Sequence, residues 1–378
     1  MCIRDSLYKV THYTTSRSMY SIKIICKDMK KICIGIDVSK ETLDVTVIHI
    51  ESYELVEKLG YSKFDNRPSG FRSMTAWVRK VIKSRGQMDE ALFCMETTGS
   101  YDLPLCHWLH KNGLNVWRES ALQIHCSKGF QRGKSDKEDS EVIAQYAARH
   151  QSRYTAFVPD AEAIADLKEL ICYRDSLVER RKECKVRLAN KKETLVNRNS
   201  KAWKCIERLS KAEIKRLDKV IGECDEEIRN LMKEDEEMEK NYQHLTSIVG
   251  IGLINGAALI AYTGNFKKIT TPNKMSCYCG CFTFYEDSGT SVHRKSPYRN
   301  ACCKMLKGYL RMAAKSAMLA NTELRKYSER LREKGKPYAV ILNNVANKLL
   351  HIMFSLVKHD YDYEYNHEMV RRMEREIA

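Results

Sequence analysis

The sequence predicts a mixed α/β N-terminal domain, a long helical hairpin and a mainly helical C-terminal domain. Three observations predict it. Short β-branched runs alternate with helix-period segments up to Arg149. Between Asp160 and Lys240 there is a single glycine and no proline, and apolar residues recur at helical spacing. Beyond Leu245 glycines return between further helix-period segments. At 378 residues the chain is long enough for two or three domains. The boundaries read as 1–28, 29–158, 159–241, 242–358 and 359–378.

Residues 1–28 show no lasting periodicity and read as a disordered arm or an upstream translation artefact, Met29 being the alternative start. From Ile32 an apolar run ends in Asp37, and a polar turn, Ser39 to Thr42, leads into Leu43, Val45, Val47 and Ile48. That pattern is a hairpin of β-branched strands. Phe71 to Val81 reads as a helix with Met74, Trp77, Val78 and Val81 on one face. Ala91 to Met95 is a short strand ending in Glu96. Tyr101 to His110 reads as a helix stopped by Asn112-Gly113, and Leu114 to Trp117 as a strand. Ser135 to Ala148 reads as a helix, with Ser135 and Glu138 as a capping box.

The helical hairpin carries Leu167, Leu170, Ile171, Leu177 and Val178 in its first arm and Leu217, Ile221, Cys224 and Ile228 in its second. It reads as a hairpin or coiled coil whose charged face is solvated or makes a dimer contact. Val249-Gly250-Ile251-Gly252 before an apolar helix fits a loop whose backbone N–H groups meet a phosphate, or a tight helix–helix turn. Cys303 to Leu331 and Tyr338 to Val357 read as helices, and the segment from Tyr361 as a polar, mobile tail.

Lys and Arg total 65 against 49 Asp and Glu, a formal charge of +16 that favours a polyanionic partner, nucleic acid above all. The charge concentrates between Thr290 and Lys336, where thirteen basic residues face three Glu and Tyr298, Tyr309 and Tyr327 are interleaved. Such a stretch neutralises phosphates and stacks on bases. No apolar run reaches the roughly 18 residues of a membrane span. Ile22 to Cys26 is too short for an export signal and is broken by Lys23, so a reducing compartment is expected and the 15 cysteines should be mostly thiols. Cys277, Cys279 and Cys281 alternate and read as small apolar residues on one face of a strand in preference to a zinc site.

Four acids stand out. Asp37 and Glu96 end strands, and Asp136 and Asp139 sit three apart at a helix start, on one helix face. Carboxylates converging at one end of a sheet repel one another unless cations neutralise them. Hard oxygen donors of this kind suit Mg²⁺, and a pair of ions suits phosphodiester chemistry.

These residues carry a resemblance. Gly35-Ile36-Asp37-Val38-Ser39-Lys40, Glu96-Thr97-Thr98-Gly99-Ser100-Tyr101, and Lys134-Ser135-Asp136 with Asp139 resemble the three motifs of the DEDD insertion-sequence transposases, described as bridge-RNA-guided recombinases. Gly250-Ile251-Gly252, the Cys279-Gly280 turn and Ser288-Gly289 before a basic helix resemble the same family, so the likeness runs from Lys31 to Leu356. It implies a RuvC-like, RNase H-type domain joined by a coiled coil to a smaller transposase domain. It implies that Asp37, Glu96, Asp136 and Asp139 hold two Mg²⁺ ions. Ser288 matches the family's nucleophile, which forms a phosphoserine link with DNA; Ser291 and Ser296 are the alternatives, because Arg299-Asn300 replaces the family's Gly-Asn. Gly250, Gly252, Gly289, Arg294, Lys295, Arg299, Lys304, Lys307 and Arg311 are the expected nucleic-acid contacts.

The expected partners are donor and target double-stranded DNA, a structured guide RNA, and further copies of the chain. A dimer would become a tetramer, with acidic and serine domains from different subunits. The expected setting is a bacterial or archaeal cytoplasm, at the nucleoid, with no membrane. Two rival readings use the same residues differently. A Holliday-junction resolvase or RNase H-type nuclease needs the acids without Ser288, and a non-catalytic nucleic-acid-binding protein needs neither.

Overall fold

The computed structural model describes residues 30–51, 55–97, 99–127, 136–194, 200–281, 285–288, 292–295 and 302–364, with the backbone alone at 194, 285–288 and 292–295. The chain divides into two compact units, with the boundary between Pro159 and Asp160.

The N-terminal unit is a five-stranded sheet with helices on both faces. Its elements run β1 (Ile32–Val38), β2 (Thr42–Ile50), β3 (Val56–Asp65), α1 (Pro68–Ile82), β4 (Ala91–Glu96), α2 (Leu103–Lys111), β5 (Asn115–Glu119), α3 (Ala121–Ser127) and α4 (Asp136–Arg149). The strand order is β3-β2-β1-β4-β5. β1, β2 and β3 are antiparallel neighbours, whereas β4 runs parallel to both β1 and β5. The Ser39 hydroxyl closes the β1–β2 turn by accepting from Thr42 N at 2.9 Å.

Side chains alternate across a strand, so each strand feeds two cores. Ile32, Ile34, Ile36, Leu43, Val45, Val47, Phe93 and Met95 point one way, into a core with Phe71, Met74 and Val78 of α1 and with Leu105 and Leu109 of α2. Cys33, Ile48, Leu92, Cys94 and Trp117 point the other way, onto Ile143, Ala144, Tyr146 and Ala147 of α4. β3 was not expected from the sequence. It is an edge strand with a polar, partly exposed pattern and no apolar run, and Trp77 of α1 packs on its Phe64 with ring centroids 5.6 Å apart. α3 was also missed, being only seven residues long.

The C-terminal unit is helical apart from one small hairpin. It contains α5 (Glu162–Thr194), α6 (Lys201–Lys233), α7 (Glu236–Thr246), α8 (Leu253–Thr263), α9 (Pro272–Tyr278), β6 (Tyr285–Ser288), β7 (Val292–Lys295), α10 (Lys304–Ala320), α11 (Thr322–Glu333) and α12 (Tyr338–His359). α5 and α6 pack antiparallel, because Arg174 pairs with Asp225 and Arg181 with Asp218, rising along one helix and falling along the other. Leu177, Leu217, Ile221 and Cys224 form a small core between them. Ile164, Leu167 and Ile171 of α5 and Ile228 and Met232 of α6 join the core built by α7 to α12.

Several expectations change here. The basic stretch expected as one helix from Cys303 to Leu331 is two helices. Asn321 breaks it, its side chain accepting from the backbone N–H groups of Glu323 and Leu324 as an N-cap. Cys277 and Cys279 lie in and just after α9, with Gly280 in a left-handed turn and Cys281 beyond, so the alternation is a helix end and not a strand. Cys279 and Cys281 are buried among apolar side chains. No disulfide forms among the described residues.

By length and composition α12 is apolar enough to cross a bilayer, although Asn343, Asn344, Asn347, Lys348 and His351 interrupt its sequence. Its Val345, Leu349, Leu350 and Met353 are buried in the C-terminal core, which makes it a core helix. The start of the tail is held in place. Lys240 and His244 of α7 pair with Asp360, and Tyr363 N donates to Ser247 Oγ at 2.7 Å.

Candidate active site

The α4-facing side of the sheet carries the acids. Asp37 shares that face with Cys33 and Gly35, and Glu96 shares it with Leu92 and Cys94. Both lie where the parallel pair β1–β4 ends, the end of such sheets at which ligands gather. Asp136 and Asp139 occupy the first turn of α4, where negative charge meets the positive end of the helix dipole.

Gly35 brings the helix to the strand. A Cβ at this position would lie 2.1 Å from Ser140 O and 2.2 Å from Ala144 N, so only glycine lets α4 pack directly on β1. Thr46 on β2 bonds Ser140 on α4 across the same contact, Oγ to Oγ at 2.8 Å, with both side chains buried. The helix start, and the two acids on it, are thereby held beside the end of β1.

The resulting field is visible at Asp37. Its half-buried carboxyl is pushed up to about 6, first by burial and then by the negative charges of Asp139, Asp136, Glu96 and Asp44. Glu96 on β4 and Asp136 and Asp139 on α4 therefore all act on Asp37 at the end of β1. Their donors are all carboxylate oxygens and Asp37 pays an electrostatic penalty, so the set fits a divalent cation.

Two further acids were not singled out from the sequence. Asp44 is buried directly opposite Asp37 in the β1–β2 register. It accepts from Tyr61 OH and pairs with Lys63 at 3.1 Å. Registering the hairpin about its Ser39–Thr42 turn would have found it. Glu119 stands opposite Glu96 in the β4–β5 register and accepts from Tyr146 OH at 3.1 Å and from Ser120 N at 2.7 Å. Neither the turn nor the strand pattern marked it.

The loop after Glu96 is clamped. Thr97 N donates to Glu119 O, and Arg118 donates to the fully buried Asp102 and to Gly99 O. Asn66 Nδ2 bridges Ser39 O and Tyr101 O, tying this loop to the β1–β2 turn.

In the C-terminal unit, Ser288 takes the last ladder position of β6, opposite Val292; Arg294 and Lys295 of β7 stand opposite Glu286 and Tyr285. The short β6–β7 sheet was not expected from sequence. Gly289, Ser291, Ser296 and Arg299 lie outside the described residues, as do Lys134 and Ser135 of the N-terminal unit. Lys304, Lys307 and Arg311 recur along α10 at spacings of one face. Lys307 is already engaged, its ammonium donating to Gly280 O at 2.8 Å. Gly250 has φ +103°, and a Cβ there would lie 2.8 Å from Ala317 N, so it serves close packing against α10. Gly252 is the open N-cap of α8.

A sheet of this order with an acid set at the end of its parallel strands has the donor chemistry that metal-assisted phosphodiester cleavage requires. Two transposase family models match the chain in order, a DEDD transposase model of the IS110 type over residues 34–193 and the transposase model of the IS116/IS110/IS902 family over residues 242–329. The chain belongs to the IS110-type DEDD transposases, and its substrate class is DNA.

The pilin gene-inverting proteins of Moraxella bovis and Moraxella lacunata are each 24% identical over 340 residues, covering 89% of this chain and 98% of theirs. The insertion element IS110 uncharacterized 43.6 kDa protein of Streptomyces coelicolor is 28% identical over 120 residues, 32% of this chain and 29% of its own. Among solved structures, Thermus thermophilus RuvC in complex with a Holliday junction substrate matches 34% of this chain and 99% of its own, at 12% identity and a TM-score of 0.26.

Proposed function

We propose that this transposase is a recombinase that excises and inserts a mobile element through a RuvC-like acidic site and a serine nucleophile. The observation that carries the acidic half is the convergence felt at Asp37, whose carboxyl is raised first by burial and then by three acids from α4 and β4 as well as by Asp44. The strand order β3-β2-β1-β4-β5, with β2 antiparallel and β4 parallel to β1, supports the RNase H-type reading. Asp37, Glu96, Asp136 and Asp139 would hold the cation, Mg²⁺ in our reading and two ions by family likeness. Bound there, the metal supplies charge stabilisation for an oxygen attacking phosphorus and for the oxygen that leaves.

The chain's own residues do the rest. Gly35 and the Thr46–Ser140 bond hold α4 against β1, and Arg118 holds the loop behind Glu96. Ser288, by the family likeness, attacks the phosphodiester. Its Oγ forms a new ester to phosphorus as the bond to the departing strand breaks, and that strand's oxygen takes up a proton. The phosphoserine keeps the bond energy, so strands rejoin without ATP. Arg294, Lys295, Arg299, Lys304 and Arg311 neutralise phosphates, with Gly252, and Gly289 by the family likeness, letting the nucleic-acid backbone approach. Gly250 and Lys307 brace the fold beside them. A structured RNA encoded by the element selects donor and target by base pairing. The protein works at the nucleoid as a dimer that becomes a tetramer on two DNAs. Rearrangement with rejoining also fits the name of the Moraxella relatives, the pilin gene-inverting proteins.

The test is Ser288→Ala beside Asp136→Ala on supercoiled donor and target plasmids. The serine variant should lose all covalent protein–DNA adduct and all strand exchange. A serine variant that still exchanges strands would overturn serine chemistry. Retained cleavage without exchange would favour the nuclease reading. For the guide, RNA copurified with the protein and its flanking DNA is sequenced. One discrete structured RNA from beside the gene is expected, and only heterogeneous cellular RNA would sink it.

A further inference from the structure

We infer that His49, Glu51 and Glu57 form a second cation site, of the zinc class, at the edge of the sheet and apart from the catalytic acids. Strand register sets the site. His49 on β2 pairs with Ile32 at the start of β1, whereas Asp44 pairs with Asp37 near its end, so the two clusters lie at opposite ends of the sheet. They also lie on opposite faces. His49 shares alternation with Val45 and Val47 of the α1-facing core, while Asp37 and Asp44 face α4.

A bulge assembles the cluster. Up to Val47 the β2–β3 register would bring Lys58 opposite His49. The register shift between Val47 and Ile48 brings Glu57 there, and Lys58 pairs with Glu141 of α4 on the other face. Glu51 follows His49 by two and returns to the same face, its N–H bonded to Leu55 O at 3.0 Å. One donor atom from each of the three side chains lies within 4.8 Å of the other two.

The second observation is the imidazole. His49 is only 9% exposed, and its Nδ1 has no hydrogen-bond partner. A buried ring nitrogen left so is unfavourable, and a metal bond is one of the few ways to satisfy it from within the cluster. Among the described residues Arg85 contributes the one cation paired there, with Nη2 2.8 Å from Glu57 and Nη1 3.6 Å from Glu51. Its guanidinium is paired with the carboxylates and makes no hydrogen bond to His49 Nδ1, and its single charge meets two carboxylates. A doubly charged ion neutralises both and takes the nitrogen as well. One imidazole with two carboxylates suits zinc better than Mg²⁺, which seeks an all-oxygen shell. The ion would displace Arg85 and clip the edge strand β3 to β2.

The full chain, stripped by chelator, is titrated with zinc by calorimetry, and melting is followed in parallel. The shape-conserving Glu57→Gln should lose one zinc equivalent while melting as wild type does without metal, and the folded fraction of His49→Ala should lose it too. Arg85→Ala should bind that equivalent about tenfold more tightly, because the competing cation is gone. An unchanged zinc count in folded Glu57→Gln, or an Arg85→Ala affinity equal to or weaker than wild type, would overturn the site. The acidic residues that face α4 are untouched in all three proteins, so failure here leaves the transposase reading standing.

Discussion

The two faces of the N-terminal sheet are built from different materials. Towards α1 the strands present Ile32, Ile34, Ile36, Leu43, Val45 and Phe93, large side chains closed over by Phe71, Met74 and Val78. Towards α4 the large Ile48, Leu92 and Trp117 are buried as well, but where the helix crosses β1 the strands present Cys33, Gly35, Thr46 and Cys94 against Ser140, Ala144 and Ala147. Large residues bury more apolar area and keep a helix at a distance. Small and hydroxyl residues bury less but let backbone approach backbone. Large residues on both faces supply stability. The small residues under α4 set the distance at which short acidic side chains on α4 can reach the end of β1. A site made of Asp and Glu needs that closeness, since a carboxylate spans only one or two methylenes.

This contrast is open to attack, starting with the largest effect. Asp136→Ala should lower strand cleavage by at least about a thousandfold while leaving the melting temperature close to wild type. A plasmid cleavage assay with Mg²⁺ measures it. Cleavage within tenfold of wild type would remove α4 from the chemistry.

Phe93→Ala, on the other face, should cost about 4 kcal/mol in urea unfolding. Cleavage per folded molecule should survive in the cold. If cleavage fell as far as in Asp136→Ala, the division between the faces would be lost.

Gly35→Ala tests the close approach itself. The added methyl has backbone on two sides and no flexible neighbour to displace. We expect a loss of about 3 kcal/mol, together with a fall in cleavage beyond what the unfolded fraction explains. Full activity in the folded fraction would mean that the helix can shift without moving its acids.

The smallest effect is electrostatic. The Asp37 carboxyl stands at about 6 in the folded, cation-free protein, above the ordinary aspartate value. An acid raised on folding binds its proton more tightly in the folded state. Stability from this group therefore rises as pH falls from 7 towards 4. Asp37→Asn should stabilise the cation-free protein above pH 6, by on the order of 1 kcal/mol once solvent screening is counted, and the gain should vanish below about pH 4. Denaturant midpoints across that range would show it. A variant less stable than wild type at pH 7 would mean that the acids are already compensated.

Much of this was legible in the chain. β1, β2, α1, β4, α2, β5 and α4 all follow from apolar periodicity and turn residues, because each is a local pattern within about fifteen residues. The elements missed were those with little apolar signal. β3 lies at an edge and reads Val-Glu-Lys-Leu-Gly-Tyr-Ser-Lys-Phe-Asp, and β6 and β7 are four residues each. The cysteine alternation misled for a related reason. Period two occurs by chance over five residues, and the left-handed Gly280 ends a helix there.

Motif spacing singled out Asp37, Glu96, Asp136 and Asp139. It missed Asp44 and Glu119, which become neighbours of the site through β1–β2 and β4–β5 pairing. Nor could it show why a glycine stands two residues before Asp37.

The sequence alone determined the kinds of elements, the basic charge and the acids at strand and helix ends, because these depend on neighbours along the chain. Tertiary structure alone decided that Asp37 and Asp136, about a hundred residues apart, share one field, and that His49 faces Glu57 in place of Lys58. Both outcomes rest on strand register and helix-to-sheet distance. Those are set by packing between distant segments, where one bulged residue or one missing Cβ changes which side chains meet.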